Sequence, residues 1–133
     1  MTYMLDTNIC IYAIKNHPES VLKKLKENIN SGICISAITL AELEHGVEKS
    51  SFPAQNKFAL LKFLSILSVL PFDASAAVEY GRVCAELQKK GMPIGTMDML
   101  IAGHAKAENV TLVTNNMREF ERVSNLKLEN WVE

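Results

Sequence analysis

Short apolar runs recur along the chain at Tyr3–Leu5, Ile33–Ile35, Val69–Leu70 and Val110–Val113. Each is followed within a few residues by a polar residue or a proline and is read as a strand, Ile33–Ile35 and Val110–Val113 as buried ones and Val69–Leu70 as a brief one. The segments between them carry apolar residues at helical spacing. Asn8 is expected to cap a helix over Ile9–Lys15. A second helix starts near Pro18 with Leu22, Leu25 and Ile29 in phase, and Gly32 ends it. Thr39 is expected to start a third, with Leu40, Leu43 and Val47 on one face, and Pro53 a fourth running to Leu67. From Asp73 to Lys90 the syntax is complete: an Asp cap, then Ala77, Tyr80, Cys84 and Leu87 in phase. Two lysines close it before Gly91 and Pro93. Thr96 opens another helix, a short helical turn follows Asn116, and Leu126–Leu128 is the expected last strand.

Short continuous apolar strands separated by helices imply an α/β domain with a parallel sheet covered on both faces. In such sheets a ligand binds beyond the carboxyl ends of the strands. Asp6 stands at the end of the first strand. Glu42 and Asp98 fall in the first turns of the helices expected to open at Thr39 and Thr96. Three carboxylates at equivalent ends of their elements converge in one pocket on this reading. Hard oxygen donors of this kind suit Mg²⁺ or Mn²⁺ and phosphate chemistry. Each acid also has a purely structural explanation. Thr39 and Glu42 fit a capping box, Asp98 suits a helix N-terminus behind a Thr96 cap, and Asp6 can cap the helix that follows it. A buried strand-end carboxylate, however, costs several kcal/mol unless it is paired or metal-bound.

Composition narrows the class. The 133 residues are 48% hydrophobic, which suits one domain over residues 1–133 and excludes a disordered chain. A net charge of −1 removes the strongly basic signature of many nucleic-acid binders without excluding a local patch. The N-terminus lacks a signal-peptide pattern, and the most apolar stretch, Ala59–Phe72, is interrupted by Lys62, Ser65, Ser68 and Pro71. No membrane association is expected, and the expected location is the cytoplasm. Cys10, Cys34 and Cys84 read as buried thiols rather than a disulfide or zinc framework. His17, His45 and His104 lack metal-ligand spacing, and Lys23, Lys24 and Lys26 read as a solvated helix face. No GxSxG, Walker A or GxGxxG pattern is present.

Four segments together resemble the PIN-domain ribonucleases: Asp6-Thr7-Asn8, Ile38 to Leu43 around Glu42, Gly95 to Ala102 around Asp98, and Val113 to Phe120. More narrowly, the whole length is similar to the VapC toxins of bacterial toxin–antitoxin pairs, and within them to the enteric branch. The resemblance implies a three-layer α/β/α fold with a parallel sheet of about five strands. It also implies an acidic pocket holding Mg²⁺ or Mn²⁺ and endonucleolytic cleavage of RNA. Asp6, Glu42 and Asp98 match the family's three principal acids, as catalytic and metal-binding residues. Asn116 stands where many relatives carry a fourth acid; its amide oxygen, or the carboxylate of Glu119, is the implied replacement. Thr114 matches the hydroxyl residue that supports the first aspartate. The implied substrate is initiator tRNA, cut in its anticodon loop, with inhibition of translation as the result. The implied partners are a VapB-like antitoxin and a second copy of the chain. Two other readings stay open on the residues alone: a phosphatase or phosphoacceptor domain, which also places an aspartate at a strand end, and a catalytically silent PIN-like binding module whose acids are only caps.

Overall fold

Five short strands, β1 (Tyr3–Leu5), β2 (Ile33–Ser36), β3 (Ser68–Leu70), β4 (Thr111–Val113) and β5 (Leu128–Glu129), make one parallel sheet. Their order is β3-β2-β1-β4-β5 in the computed structural model, which describes residues 1–132. In the register, Tyr3 lies opposite Ile33 and Thr111, and Met4 opposite Cys34 and Leu112. The pleat sends alternate residues to opposite faces. Leu5, Ile33, Ile35 and Val113 enter one apolar core; Met4, Cys34 and Leu112 enter the other. In the central strands β1, β2 and β4 both faces are covered, so their positions are free to be apolar and they read as continuous runs, whereas Val69 of the edge strand β3 is exposed.

Helices α1 (Thr7–Lys15), α2 (Glu19–Asn28), α3 (Ala37–Glu48) and α4 (Pro53–Leu64) supply the first core, closed by the fully buried Trp131. Helices α5 (Ala74–Lys90), α6 (Thr96–Glu108) and the single turn α7 (Met117–Phe120) supply the second. Ile101, Ala102, Gly103, His104 and Ala105 of α6 are buried in succession. A Cβ placed on Gly103 would lie 2.7 Å from the Tyr80 backbone, so only glycine permits this approach of α5 to α6. No described helix is long and apolar enough to cross a membrane.

The element order follows the sequence reading, with several boundaries corrected. Asp6, not Asn8, caps α1, accepting from the Ile9 N–H at 2.9 Å. Helix α3 begins earlier than Thr39: Ser36 is its cap, accepting from the Ile38 N–H at 3.0 Å. Thr39 is therefore inside the helix, buried and without a hydrogen-bond partner for Oγ1, and the Thr39–Glu42 capping box does not form. Gly95 rather than Thr96 caps α6, and α4 ends at Leu64. In α5 the buried positions are Ala76, Val83 and Leu87, with Ala77 exposed. Cys84 is half-buried, whereas Cys10 and Cys34 are buried as expected. The last strand is Leu128–Glu129, displaced from the expected Leu126–Leu128. Ile29 is exposed, and the residues that α2 buries are Val21 and Leu25.

Candidate active site

The three central strands each end in a buried polar residue: Asp6 after β1, Ser36 closing β2 and Thr114 after β4. Burial of polar groups requires partners, and these residues supply them to one another and to the helices that follow. Asp6 is only 4% exposed. Its Oδ1 caps α1, and its Oδ2 accepts from the Thr114 hydroxyl at 2.5 Å. Thr114 Oγ1 in turn accepts from the Asn116 N–H at 2.8 Å. The Asn116 side-chain amide donates to Glu119 Oε1 at 2.9 Å. A continuous chain of bonds thus runs from Asp6 through Thr114 and Asn116 to Glu119. Capping and site geometry are not alternatives for Asp6, since one carboxylate oxygen serves each.

Glu42 sits on the second turn of α3, half-buried, and its Oε1 accepts from the Thr7 hydroxyl. The sequence reading passes over Thr7 as a site residue. The signal for it is a hydroxyl immediately after the strand-end aspartate, ahead of the first apolar residue of α1. Asp98 projects from the first turn of α6, half-buried beside Gly95.

Among the described residues, no arginine or lysine forms an ion pair with these acids. The Asp98 carboxyl is pushed up to about 6, first by burial and then by the negative charges of Glu119, Asp6 and Glu42. Asp6 is raised by burial and by Glu42, against the lowering effect of its bonds to Thr114 and Ile9. Four carboxylates therefore act on one another electrostatically without a paired counter-charge. As the side chains stand, no group of three or more His, Cys, Asp or Glu among the described residues encloses an ion position. The donor chemistry nevertheless suits a hard divalent cation: every anionic donor is oxygen, and a cation removes the repulsion that raises Asp98.

An apolar cleft of about 320 Å³ flanks this region, lined by Ile11, Ile14, Leu43 and Val47 with Glu42 and Lys15 at its polar margin. His17 and His45 are not drawn into the acid cluster, and His104 is fully buried elsewhere in the fold. Lys23, Lys24 and Lys26 all occupy exposed positions of α2, as expected of a solvated face.

This arrangement, a strand-end aspartate with acids from neighbouring helices on a five-stranded parallel sheet, coincides with a known family. The PIN domain model matches residues 3–126. Ribonuclease VapC2 of Rickettsia felis is 53% identical over 132 residues, covering 98% of both chains. The tRNA(fMet)-specific endonuclease VapC of Shigella flexneri is 48% identical over 132 residues, again covering 98% of each. In three dimensions the chain superposes with a TM-score of 0.94 on the structure of VapBC2 from Rickettsia felis bound to a DNA fragment from their promoter. That match has 52% identity and covers 98% of this chain and 99% of the other. The chain belongs to the PIN-domain family of nucleases, and within it to the VapC ribonucleases. PIN-domain nucleases depend on divalent metal ions, in keeping with the cation-deficient acid cluster.

Proposed function

We propose that the chain is the toxin of a type II toxin–antitoxin pair, a single PIN domain over its 133 residues that cleaves tRNA endonucleolytically with Mg²⁺ or Mn²⁺ and so inhibits translation. The observation that carries this reading is the gathering of Asp6, at a strand end, with Glu42, Asp98 and Glu119 on neighbouring helices of a VapC-type chain, where burial and the surrounding acids raise Asp6 and Asp98. A relative of 48% identity bears the name tRNA(fMet)-specific endonuclease, which favours the anticodon loop of initiator tRNA as the target. An RNA loop is physically apt, because its unpaired nucleotides are splayed and their phosphates reach a recessed pocket. The cytoplasm, where tRNA is found, is the proposed location.

Asp6, Glu42 and Asp98 are the proposed catalytic and metal-holding residues, with Glu119 as the further acid that Asn116 holds. A bound divalent ion supplies a water of lowered pKa and charge stabilisation at the phosphate. The chain's own contribution is orientation. Thr114 fixes one oxygen of Asp6, the α1 N-terminus fixes the other, Thr7 holds Glu42, and Asn116 holds Glu119. Pre-set donors of this kind cost no reorganisation during the reaction. No histidine lies among these residues to act as a general base, so proton removal falls to the carboxylates and solvent.

The proposed partners are a second copy of the chain and a VapB-like antitoxin. The structural neighbours are VapBC assemblies, which supports the antitoxin. The test is cleavage of a tRNA pool and of an initiator anticodon stem-loop by the purified chain in Mg²⁺ or Mn²⁺. Cleavage within the loop, abolished by EDTA, is expected. Full activity in EDTA refutes the metal requirement, and turnover of an aryl phosphate without RNA cleavage refutes the nuclease reading in favour of a phosphatase.

A further inference from the structure

His104 is fully buried on α6, on the opposite side of the sheet from α1, and takes no part in the acid cluster. Its Nδ1 lies 2.8 Å from Ser36 Oγ, across a separation of 68 residues. Its ring stands edge-on to Phe72, with centroids 5.3 Å apart and an interplanar angle of 78°. Nε2 has no hydrogen-bond partner and lies 3.8 Å from the Glu108 carboxylate.

The protons can be assigned by accounting. Ser36 Oγ already accepts from the Ile38 N–H in capping α3. Its own O–H is then free to donate to Nδ1, which leaves the ring proton on Nε2, facing Glu108. The opposite tautomer makes Oγ accept twice and strands the Ser36 proton. Burial lowers the basicity of the ring, more than Glu108 on its own helix and Asp73 at the start of α5 raise it. A neutral acceptor at Nδ1 is what the bond requires.

A purely structural site of this size would be served by an apolar side chain, with no orphaned nitrogen to bury. What the bond joins is the distinguishing fact. Ser36 is the residue at which β2 turns into α3, the helix that carries Glu42; His104 is on α6, the helix that carries Asp98. We propose that His104 is a positioning residue for RNA cleavage, tying the start of α3 to α6 through Ser36 so that the helices bearing Glu42 and Asp98 keep a fixed spacing. The inference rests on the ribonuclease reading of the acid pocket. It adds to that pocket a residue pair that never touches substrate.

The experiment measures kcat and KM on the initiator anticodon stem-loop for the full chain and for His104→Leu, His104→Asn, Ser36→Ala and the Leu/Ala double variant. Melting curves confirm that each is folded at the assay temperature. Asparagine presents a polar atom near the position of Nδ1 and retains the link. His104→Leu and Ser36→Ala are each expected to lose about ten- to a hundredfold in kcat with KM within about twofold, the scale of a small misplacement of catalytic groups. The double variant should lose no more than either single one, and His104→Asn should recover most of the rate. A folded His104→Leu with wild-type kcat, or an Asn variant as slow as the Leu variant, overturns the proposal. If His104→Leu does not fold, Ser36→Ala and His104→Asn decide: wild-type kcat in the first, or loss in the second, overturns it. Failure of the unaltered chain to cleave RNA is a different result, and refutes the ribonuclease reading itself.

Discussion

Two helical carboxylates on the same side of the sheet, Glu86 of α5 and Asp98 of α6, are treated in opposite ways. Glu86 is enclosed by donors: Lys90 Nζ at 2.6 Å, the Ser124 N–H at 3.1 Å, and the Ser124 hydroxyl. Those bonds, with Lys90 first, hold its carboxyl below the ordinary range. Lys90 also donates to the Arg122 carbonyl at 3.0 Å, so the group pins the segment after α7 to the end of α5. Asp98 meets only burial and other acids, and its carboxyl is raised to about 6. A charge kept for structure is paired within the fold. A charge left uncompensated among three others destabilises the chain by itself and is relieved only by something that binds.

The comparison is broken most directly at Asp6. Asp6→Asn retains an oxygen to cap α1 but removes the charge at the centre of the cluster. Cleavage should fall at least about a hundredfold, the scale of deleting one electrostatic catalyst, while circular dichroism stays native. An active Asp6→Asn enzyme would remove the acid cluster from catalysis.

Asp98→Asn sharpens the contrast, because it should stabilise the metal-free protein while abolishing cleavage. A native carboxyl near 6 rather than the ordinary 3.8 means that the folded state binds its proton more tightly than the unfolded state does. The penalty is therefore fully present above about pH 6 and disappears as pH falls from about 6 towards 4. Asp98 is only half-buried, so screening leaves about 1 kcal/mol. The metal-free wild type should gain that much stability on acidification across this window, and Asp98→Asn should not. Mg²⁺ should raise the Tm of the wild type more than that of the variant. If the variant melts lower at pH 7.5 and neither protein responds to Mg²⁺, Asp98 is a helix-capping charge and nothing more.

The smallest effect is expected at the paired site. Glu86→Gln should cost about 0.5 kcal/mol, as surface ion pairs do, and leave cleavage unchanged. This deficit should shrink at high salt, where Lys90 and Glu86 are screened from one another.

Much of the fold is legible in the order of residues alone. Strands buried on both faces must be apolar throughout, and so Tyr3–Leu5, Ile33–Ile35 and Val110–Val113 mark a covered parallel sheet. Asp73 and Gly91 mark the ends of α5 through interactions confined to neighbouring residues. Asp6 stands out because a charge directly after a buried strand needs a reason. Local patterns mislead where two neighbours compete for one role and packing decides between them. Thr39 has the chemistry of a cap, but Ser36, three residues earlier, takes that role. Periodicity in α5 points to Ala77 and Cys84, while the face that packs holds Ala76 and Val83.

What only the folded molecule decides are the bonds made across the sheet. Thr114 reaches Asp6 over 108 residues, Thr7 reaches Glu42 over 35, and His104 reaches Ser36 over 68. Local patterns encode which residues are helical, extended or capping, because those preferences act within a turn or two of chain. Strand order places the ends of β1, β2 and β4 side by side, and no local preference specifies it; it follows from burying both faces of the sheet at once. Which acids lack a counter-charge is likewise a property of that assembled edge, since a carboxylate is paired or unpaired only by what the fold brings within reach.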